Sequence, residues 1–129
     1  MTAARDCPCG SGHPYAACCG RWHAGPQHLQ APDAEALMRS RYAAYVLDRI
    51  DYLRDTWAPE HCPVDLAPNP PGLKWLGLEV RRHAVQDADH ATVEFVARSR
   101  LAGRASRLHE TSRFERRAGR WVYVDGDVG

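Results

Sequence analysis

Four of the five cysteines fall within thirteen residues near the N-terminus, and this cluster constrains the chain more than any other feature. They are Cys7, Cys9, Cys18 and Cys19, while Cys62 stands alone. In a reducing cytosol such a cluster more often binds a metal than forms a disulfide framework. A disulfide between Cys7 and Cys9 would close a very tight ring, and one between Cys18 and Cys19 would be strained. The pattern therefore predicts a metal site.

Four thiolates complete the tetrahedral coordination that Zn²⁺ adopts in structural sites. Gly10 and Gly12 let the backbone turn tightly around such an ion. A closed four-sulfur site has no open coordination position, so the predicted role of the zinc is structural rather than catalytic. Cys19 is the first choice for the fourth ligand, but His13 and His23 lie near enough to compete with it.

The composition and patterning divide the chain into two parts. Residues 1–28 are rich in Cys, Gly, His and Pro and show no helical or strand period, which predicts a small zinc-stapled module. Residues 29–129 are predicted to form one globular domain. The sequence contains no run approaching the roughly 18 apolar residues of a membrane span, and Met1–Arg5 show no signal-peptide pattern. We therefore expect a cytoplasmic protein without membrane contact; the sequence does not indicate its oligomeric state.

Two helices are predicted before a proline-rich loop. Asp33 is a good N-cap for the first helix, whose apolar face recurs every three or four residues. We expect this helix to pause near Asp48 and a second one to run roughly over residues 51–57. A short strand is expected around residues 64–66. The apolar face of the first helix comprises Leu37, Met38, Tyr42, Tyr45 and Val46. Its opposite surface carries Arg39, Arg41 and Arg49.

The remainder alternates in the manner of β-strands separated by short turns. Short connections between neighbouring strands predict an antiparallel meander. Helices followed by such a meander predict an α+β fold, with the helices packed on one face of a curved sheet. The predicted strands are Trp75–His83, His90–Arg100, Arg104–Arg117 and Arg120–Asp125.

The N-terminal pattern Cys-x-Cys-Gly-Ser-Gly, followed by Tyr15 and then Cys-Cys-Gly, resembles the SEC-C motif. This zinc module occurs at the C-terminus of the SecA translocation ATPase and in many small bacterial proteins. The resemblance implies zinc ligation by Cys7, Cys9, Cys18 and Cys19, although the motif allows either Cys or His at the fourth position. In SecA the module docks onto partners, so the resemblance also implies an interaction role with a protein partner.

The rest of the chain resembles the YchJ family of bacterial proteins. This resemblance implies a domain of the nuclear transport factor 2-like (cystatin-like) type, a cone-shaped α+β roll. Some members carry a second SEC-C motif at the C-terminus, and this sequence ends at Gly129 without one, so we do not expect a function that needs two. The matching stretches are Glu35–Tyr42, Asp51–Leu53, Thr56–Trp57, Val93–Phe95, Leu108–Glu110 with Ser112 and Phe114, and Gly119–Gly126.

Rolls of this type often bind a ligand between the helices and the concave face of the sheet. Strand alternation places Leu108, Glu110, Ser112 and Phe114 on one face, so Glu110 and Ser112 are expected to point into the interior. A carboxylate in such a place is a candidate for acid/base chemistry or ligand binding. The favoured alternative is a buried structural role, in which Glu110 pairs with Arg41 or caps backbone groups. The other alternative is a bulge that turns Glu110 outward.

Other polar and aromatic residues carry weaker signals. His109 is expected at the surface, and Cys62 is expected to be unreactive. An arginine-rich stretch could contact RNA, but a net charge of +1 argues for a solvated strand face instead. The aromatic residues that could line a pocket or simply form core are Tyr42, Tyr45, Tyr52, Trp57, Trp75, Trp121 and Tyr123. The arginines are Arg98, Arg100, Arg104, Arg107, Arg113, Arg116, Arg117 and Arg120.

Two functional hypotheses follow. The favoured one is a cytoplasmic zinc-binding accessory protein that uses the SEC-C-like module to contact a protein partner; a nucleic-acid partner is not expected. The second is a small-molecule binding protein or acid/base enzyme with its pocket in the roll. No nucleophile elbow, phosphate loop or cofactor fingerprint is present in the sequence, so the reaction of such an enzyme would be of the acid/base class. Without a catalytic motif, the sequence favours a protein that is not an enzyme.

Overall fold

Three α-helices and a four-stranded antiparallel sheet form the α+β fold in the computed structural model, which describes residues 6–129. A 3₁₀ turn (Tyr15–Ala17) and the short helix α1 (Gly20–His23) belong to the cysteine-rich segment. Helices α2 (Ala34–Val46) and α3 (Ile50–Asp55) follow. The α+β class predicted from the sequence is confirmed.

Helix α2 begins and ends where local chemistry requires. The Asp33 side chain accepts a hydrogen bond from the Ala36 backbone N–H at 2.7 Å, which is the predicted N-cap. The helix ends at Val46, and Asp48 adopts a left-handed conformation with φ 56°. A residue in that conformation cannot continue a right-handed helix. The chain therefore turns at Asp48, as predicted, before α3 begins.

Helix α3 is shorter than the sequence predicts, because the residues after it pair with the sheet. The Thr56 hydroxyl donates to the Tyr52 carbonyl at 2.7 Å and so satisfies the end of the helix. The Ala58 N–H donates to the Tyr123 carbonyl, and the Tyr123 N–H donates to the Thr56 carbonyl, each at 2.8 Å. Trp57 is thereby held in a bridge beside Tyr123. The predicted extension of the helix to Trp57 is wrong.

The sheet is a meander in the order β1-β2-β3-β4, as the short connections predict. Two of the hairpins turn through an alanine and a glycine that both have positive φ, at Ala102-Gly103 and Ala118-Gly119. This is the backbone shape of the tight type I′ turn, whose twist matches that of the strands. The first and last strands extend beyond their predicted ends. The strands are β1 (Lys74–Asp87), β2 (His90–Leu101), β3 (Arg104–Arg117) and β4 (Arg120–Val128).

The loop over residues 59–73 contains no strand. Val64, at the centre of the predicted short strand, is fully exposed. Prolines lack the N–H that a strand donates to its neighbour, so this proline-rich segment has little to pair with. The predicted strand at residues 64–66 is therefore wrong.

The main core lies between α2, α3 and the concave face of the sheet. Leu37 and Met38 of α2, Leu53 of α3 and Val93 of β2 are buried in it, in agreement with the predicted apolar face of α2. Arg41 is also buried, with only 6% of its surface exposed. The helical pattern predicted it on the outer surface, whereas the favoured ion pair with Glu110 required it inside. None of the helices formed by residues 6–129 has the length and hydrophobicity that a bilayer span requires.

Candidate metal centre and cavity

The four clustered cysteines come together at one point in the structure. The sulfur atoms of Cys7, Cys9, Cys18 and Cys19 all lie within 4.8 Å of one another, and the Cys9 and Cys18 Sγ atoms are 3.6 Å apart. All four are free thiols. Zn–S bonds of about 2.3 Å in a tetrahedral site place neighbouring sulfurs about 3.8 Å apart. The donor set and its spacing therefore fit a tetrahedral four-sulfur metal site.

Tight local turns bring the two cysteine pairs together. The Cys7 N–H donates to the His13 carbonyl at 2.9 Å, and the Gly10 N–H donates to the Cys7 carbonyl at 3.2 Å. Gly10 has φ 81°, a conformation that favours glycine. At Gly20, after the second cysteine pair, a Cβ atom would lie 2.8 Å from the Tyr15 carbonyl oxygen. Glycine is therefore required there for steric reasons.

The cysteine cluster is set into the domain rather than projecting from it. Cys9 and Cys19 are almost completely buried, and they pack with Ala43 of α2 and Leu78 of β1. The guanidinium of Arg39, also on α2, donates to the Cys9 carbonyl at 3.0 Å. The metal centre therefore joins the N-terminal segment to the helix and to the edge of the sheet. The sequence analysis did not predict these contacts.

The thiols of Cys7, Cys9 and Cys19 lie so close together that each shifts the pKa of the others. Hydrogen bonds from Cys19 and Cys7 lower the pKa of Cys9. Hydrogen bonding with Cys7 and Cys9, together with burial, raises the pKa of Cys19. Thiolates in such proximity repel one another, so full deprotonation of the set requires a cation among them. Metal binding at this centre should therefore release protons.

The two histidines that could have replaced Cys19 as ligands have other roles or positions. His13 is exposed, and the group of metal-ligating atoms includes neither histidine. His23 is buried, and its Nε2 donates to the Ser40 carbonyl of α2 at 2.8 Å. Because that nitrogen carries the proton, Nδ1 accepts from the Tyr15 hydroxyl at 2.5 Å. Burial lowers the pKa of His23 to about 4, so the ring is neutral.

A cavity of about 370 Å³ lies between α2 and the concave face of the sheet. Five of the seven aromatic residues named from the sequence line it. The other two do not: Tyr52 is buried with its hydroxyl 2.7 Å from the Ser40 hydroxyl, and Trp121 lies outside the cavity. The aromatic lining consists of Tyr42, Tyr45, Trp57, Trp75, Phe95, Phe114 and Tyr123.

Glu110 and Ser112 both line the cavity, as strand alternation predicts. The Ser112 hydroxyl donates to Oε2 of Glu110, and the Tyr123 hydroxyl donates to the same oxygen at 3.0 Å. Burial and the nearby Glu110 carboxylate raise the pKa of Tyr123. The pairing of Leu108 to Ser112 with β2 is unbroken, so the alternative of an outward-turning bulge is wrong.

Gly126 of β4 makes room for this carboxylate. It pairs with Ser112 across the two strands, and a Cβ atom at Gly126 would lie 2.7 Å from the Glu110 carboxyl carbon. The absent side chain thus leaves the space that the Glu110 carboxylate occupies. The sequence offered a signal for this in a glycine within a strand, which often marks a close approach.

Arg41 lines the cavity, but its partners are not the one that the sequence favoured. Its Nη1 donates to the Leu53 carbonyl at 2.9 Å and to the Thr56 hydroxyl at 2.8 Å. Its guanidinium carbon lies 4.7 Å from the centre of the Trp57 ring and 4.8 Å from that of Tyr123. Within residues 6–129, no carboxylate lies within 4.0 Å of it.

The expected ion pair between Arg41 and Glu110 is therefore wrong. Trp57 and Tyr123 stack against the guanidinium, and two neutral acceptors take the hydrogen bonds of its Nη1. Glu110 receives its hydrogen bonds from hydroxyl groups instead. The two charges occupy separate parts of the cavity wall, with Tyr123 in contact with both.

The remaining candidates lie outside both the metal centre and the cavity. His109 pairs with Glu94 at 2.7 Å on the opposite side of the sheet from Glu110, and Cys62 lies outside the cysteine cluster. Four of the eight arginines form ion pairs with nearby carboxylates: Arg98 with Glu79, Arg113 with Asp125 and Asp127, Arg116 with Asp89, and Arg117 with Glu60 and Glu115.

Replacing Ser112 by alanine should lower the free energy of unfolding by about 1 to 2 kcal/mol, because it removes a buried hydroxyl that donates to a carboxylate. Chemical denaturation measures the change. Ser106→Ala, at an exposed serine of the same strand, is the matched control and should change stability by less than about 0.5 kcal/mol. Equal effects of the two substitutions would contradict the hydrogen bond.

Comparison with known proteins gives consistent results over most of the chain. Residues 33–126 match the family model described as YchJ, middle NTF2-like domain, and residues 6–21 match the SEC-C motif. A UPF0225 protein of Bordetella pertussis is 62% identical over 122 residues, which cover 95% of this chain and 92% of that protein. A UPF0225 protein of Methylibium petroleiphilum is 60% identical over 122 residues, covering 95% of this chain and 88% of that protein.

Two solved structures have a similar fold. The solution structure of a SEC-C motif containing protein from Rhodopseudomonas palustris superposes with a TM-score of 0.79 at 37% identity, covering 97% of this chain and 99% of that one. The crystal structure of a SEC-C motif containing protein from Psychrobacter arcticus gives a TM-score of 0.75 at 27% identity, covering 97% of this chain and 83% of that one.

Proposed function

The chain belongs to the YchJ (UPF0225) family, with a SEC-C motif ahead of an NTF2-like domain, and on this premise we propose that it is a zinc protein whose metal centre is structural. The observation that supports this is the convergence of four cysteine sulfurs within 4.8 Å of one another. The proposed ligands are Cys7, Cys9, Cys18 and Cys19. A closed set of four thiolates is typical of structural zinc and leaves no position for a substrate.

The burial pattern supports different roles for the two sides of the SEC-C segment. Its inner side packs against α2 through Cys9 and Cys19. Its outer side exposes Gly12–Pro14 and Ala16–Ala17, which we call the outer rim. We propose that zinc holds this rim in shape and that the rim contacts a protein partner. The proposed location is the cytoplasm, where a reducing environment keeps the four thiols free to bind metal.

Metal analysis of the full chain, purified without added zinc, tests the metal proposal. We expect about one zinc ion per chain, since the four ligands complete one tetrahedral site. Protein that contains iron in place of zinc, or that is folded with no metal at all, would contradict the proposal.

The interaction proposal needs its own experiment. Crosslinking in cells of the parent bacterium should capture a protein partner through the wild-type chain. Ala17→Arg, on the outer rim, should abolish the crosslink, while Val85→Arg, at an exposed position on β1, should retain it. Both variants should still bind about one zinc ion. A crosslink that survives Ala17→Arg would contradict a role for the rim.

A second candidate function is the binding of a small molecule, and the cavity between α2 and the sheet favours it. Its volume of about 370 Å³ falls within the range of small-molecule sites, and its lining combines aromatic walls with a few polar groups. Glu110 is the residue there that could act as an acid or base on such a molecule. This candidate does not require the metal centre to take part in binding.

A further inference from the structure

The guanidinium of Arg41 is a buried cation without an anionic partner. It lines the cavity, and within residues 6–129 no carboxylate lies within 4.0 Å of it. Its Nη1 donates to the Leu53 carbonyl and the Thr56 hydroxyl, and the Tyr45 hydroxyl also lies beside the guanidinium. A guanidinium has five N–H donors in a planar fork that matches a carboxylate. Those on Nε and Nη2 therefore remain available to an acceptor from outside the chain.

Glu110, which also lines the cavity, has a free hydrogen-bond acceptor where Arg41 has free donors. Both of its hydroxyl donors, Ser112 and Tyr123, bond to Oε2, and within residues 6–129 no side-chain donor bonds to Oε1. A carboxylate oxygen that is left free in a partly buried position is an acceptor for a hydroxyl or ammonium group. Tyr123 contacts both Arg41 and Glu110, so the cationic and anionic groups flank a common aromatic ring.

Two tryptophans that line the cavity have indole N–H groups without a partner, and these groups can report on the cavity. The indole N–H groups of Trp57 and Trp75 are buried, and neither has a hydrogen-bond partner within the described part of the chain. Most buried donors in native proteins are paired, so unpaired ones require an explanation. The cavity lining contains acceptors, namely the Glu110 carboxylate and the hydroxyls of Ser112 and the tyrosines, but none of them bonds to either indole N–H.

We propose that the cavity binds a small organic carboxylate with an aromatic or branched aliphatic body and a hydroxyl or ammonium group at its other end. The ligand carboxylate would pair with Arg41, its body would lie between the aromatic rings, and its donor would bond to Glu110. This inference rests on the second candidate function, small-molecule binding in the roll. It is independent of the zinc proposal, because no cysteine of the metal centre lines the cavity.

The four tryptophans make a direct test possible on the metal-loaded full chain. Each indole N–H gives its own signal in a ¹H–¹⁵N correlation spectrum. Addition of 4-hydroxyphenylacetate should shift the signals of Trp57 and Trp75, which line the cavity, and leave those of Trp22 and Trp121 in place. The neutral amide of the same compound should bind at least about tenfold more weakly, since it cannot form a charge-assisted pair with a guanidinium.

Two further comparisons test the roles of Glu110 and Arg41 separately. Phenylacetate, which lacks the hydroxyl, should bind about tenfold more weakly than 4-hydroxyphenylacetate. Glu110→Gln should reduce that preference to less than about threefold, because a neutral amide oxygen accepts more weakly than a carboxylate. Glu94→Gln, on the opposite face of the sheet, is the matched control and should retain the preference. Arg41→Gln should weaken acid binding, and if it fails to fold, the acid and amide comparison on the wild-type chain decides the role of the cation.

Three results would overturn the inference. The first is equal affinity for the acid and its amide. The second is a shift confined to Trp22 or Trp121. The third is the absence of any shift at Trp57 and Trp75 with about 10 mM 4-hydroxyphenylacetate, phenylacetate, leucine or 3-methylbutanoate, a concentration that would reveal even millimolar binding. Failure of the zinc proposal would be seen separately, as a change in metal content.

Discussion

Replacement of Cys9 by serine should abolish metal binding and lower the free energy of unfolding by more than about 3 kcal/mol. Cys9 is fully buried at the centre of the cluster, and its carbonyl accepts a hydrogen bond from Arg39 of α2. Loss of the metal would leave the N-terminal segment without its staple and would expose Ala43, which the cluster covers. Metal analysis should show less than about 0.1 ion per chain, and the melting temperature should fall by about 10 °C.

Cys62→Ser provides the matched control for this substitution. Cys62 lies outside the cluster, its thiol donates to the neighbouring Pro63 carbonyl, and the change of atom is the same. This variant should retain one metal ion and change the melting temperature by no more than about 2 °C. If Cys9→Ser retained its metal and its stability, the proposed ligand set would be wrong.

Acidification from pH 7 to pH 4 should destabilise the protein by about 3 kcal/mol through His23 alone. Burial lowers the pKa of this histidine from 6.5 to about 4 in the folded chain. As the pH falls below 6.5, His23 becomes protonated in the unfolded chain but stays neutral in the folded chain until about pH 4. The stability contribution is therefore complete above pH 6.5 and is lost as the pH falls toward 4.

The difference between wild type and His23→Gln measures this effect. A glutamine amide can keep the N–H donation to the Ser40 carbonyl but does not titrate. Both proteins carry the same four cysteines, so loss of metal at low pH affects both and cancels in the difference. His61→Gln, at an exposed histidine, should retain the wild-type pH dependence. A His23→Gln variant that loses stability as steeply as the wild type would contradict the role of His23.

The metal centre was the part of the site that could best be predicted from the sequence. Its four cysteines lie within thirteen residues, so the short segment between them decides whether the sulfurs can meet. The hairpins could be predicted for the same reason, because a turn of two residues brings the strands on either side of it next to each other. The resemblances to the YchJ family and to the SEC-C motif are confirmed, as is the NTF2-like type of the domain.

The cavity could be predicted from the sequence only in part. Strand alternation correctly placed Glu110 and Ser112 in the interior, because side chains in a strand have a fixed period. The predicted partner of Glu110 is wrong, since the position of the Arg41 guanidinium depends on α3 and on Trp57 rather than on α2 alone. On a helix an arginine normally indicates the solvated side, and nothing local signals the exception.

The sequence by itself determined the residues that could bind metal, the order of helices and strands, and the inward direction of Glu110. Each follows from spacing within a short stretch of chain, where covalent geometry limits the outcome. Only the tertiary structure decided that the cysteine cluster is set against α2, that Arg41 is buried without an anion, and that a cavity remains beside it. These depend on packing between segments far apart in the chain, because burial is a property of the whole arrangement of helices and sheet rather than of any one segment.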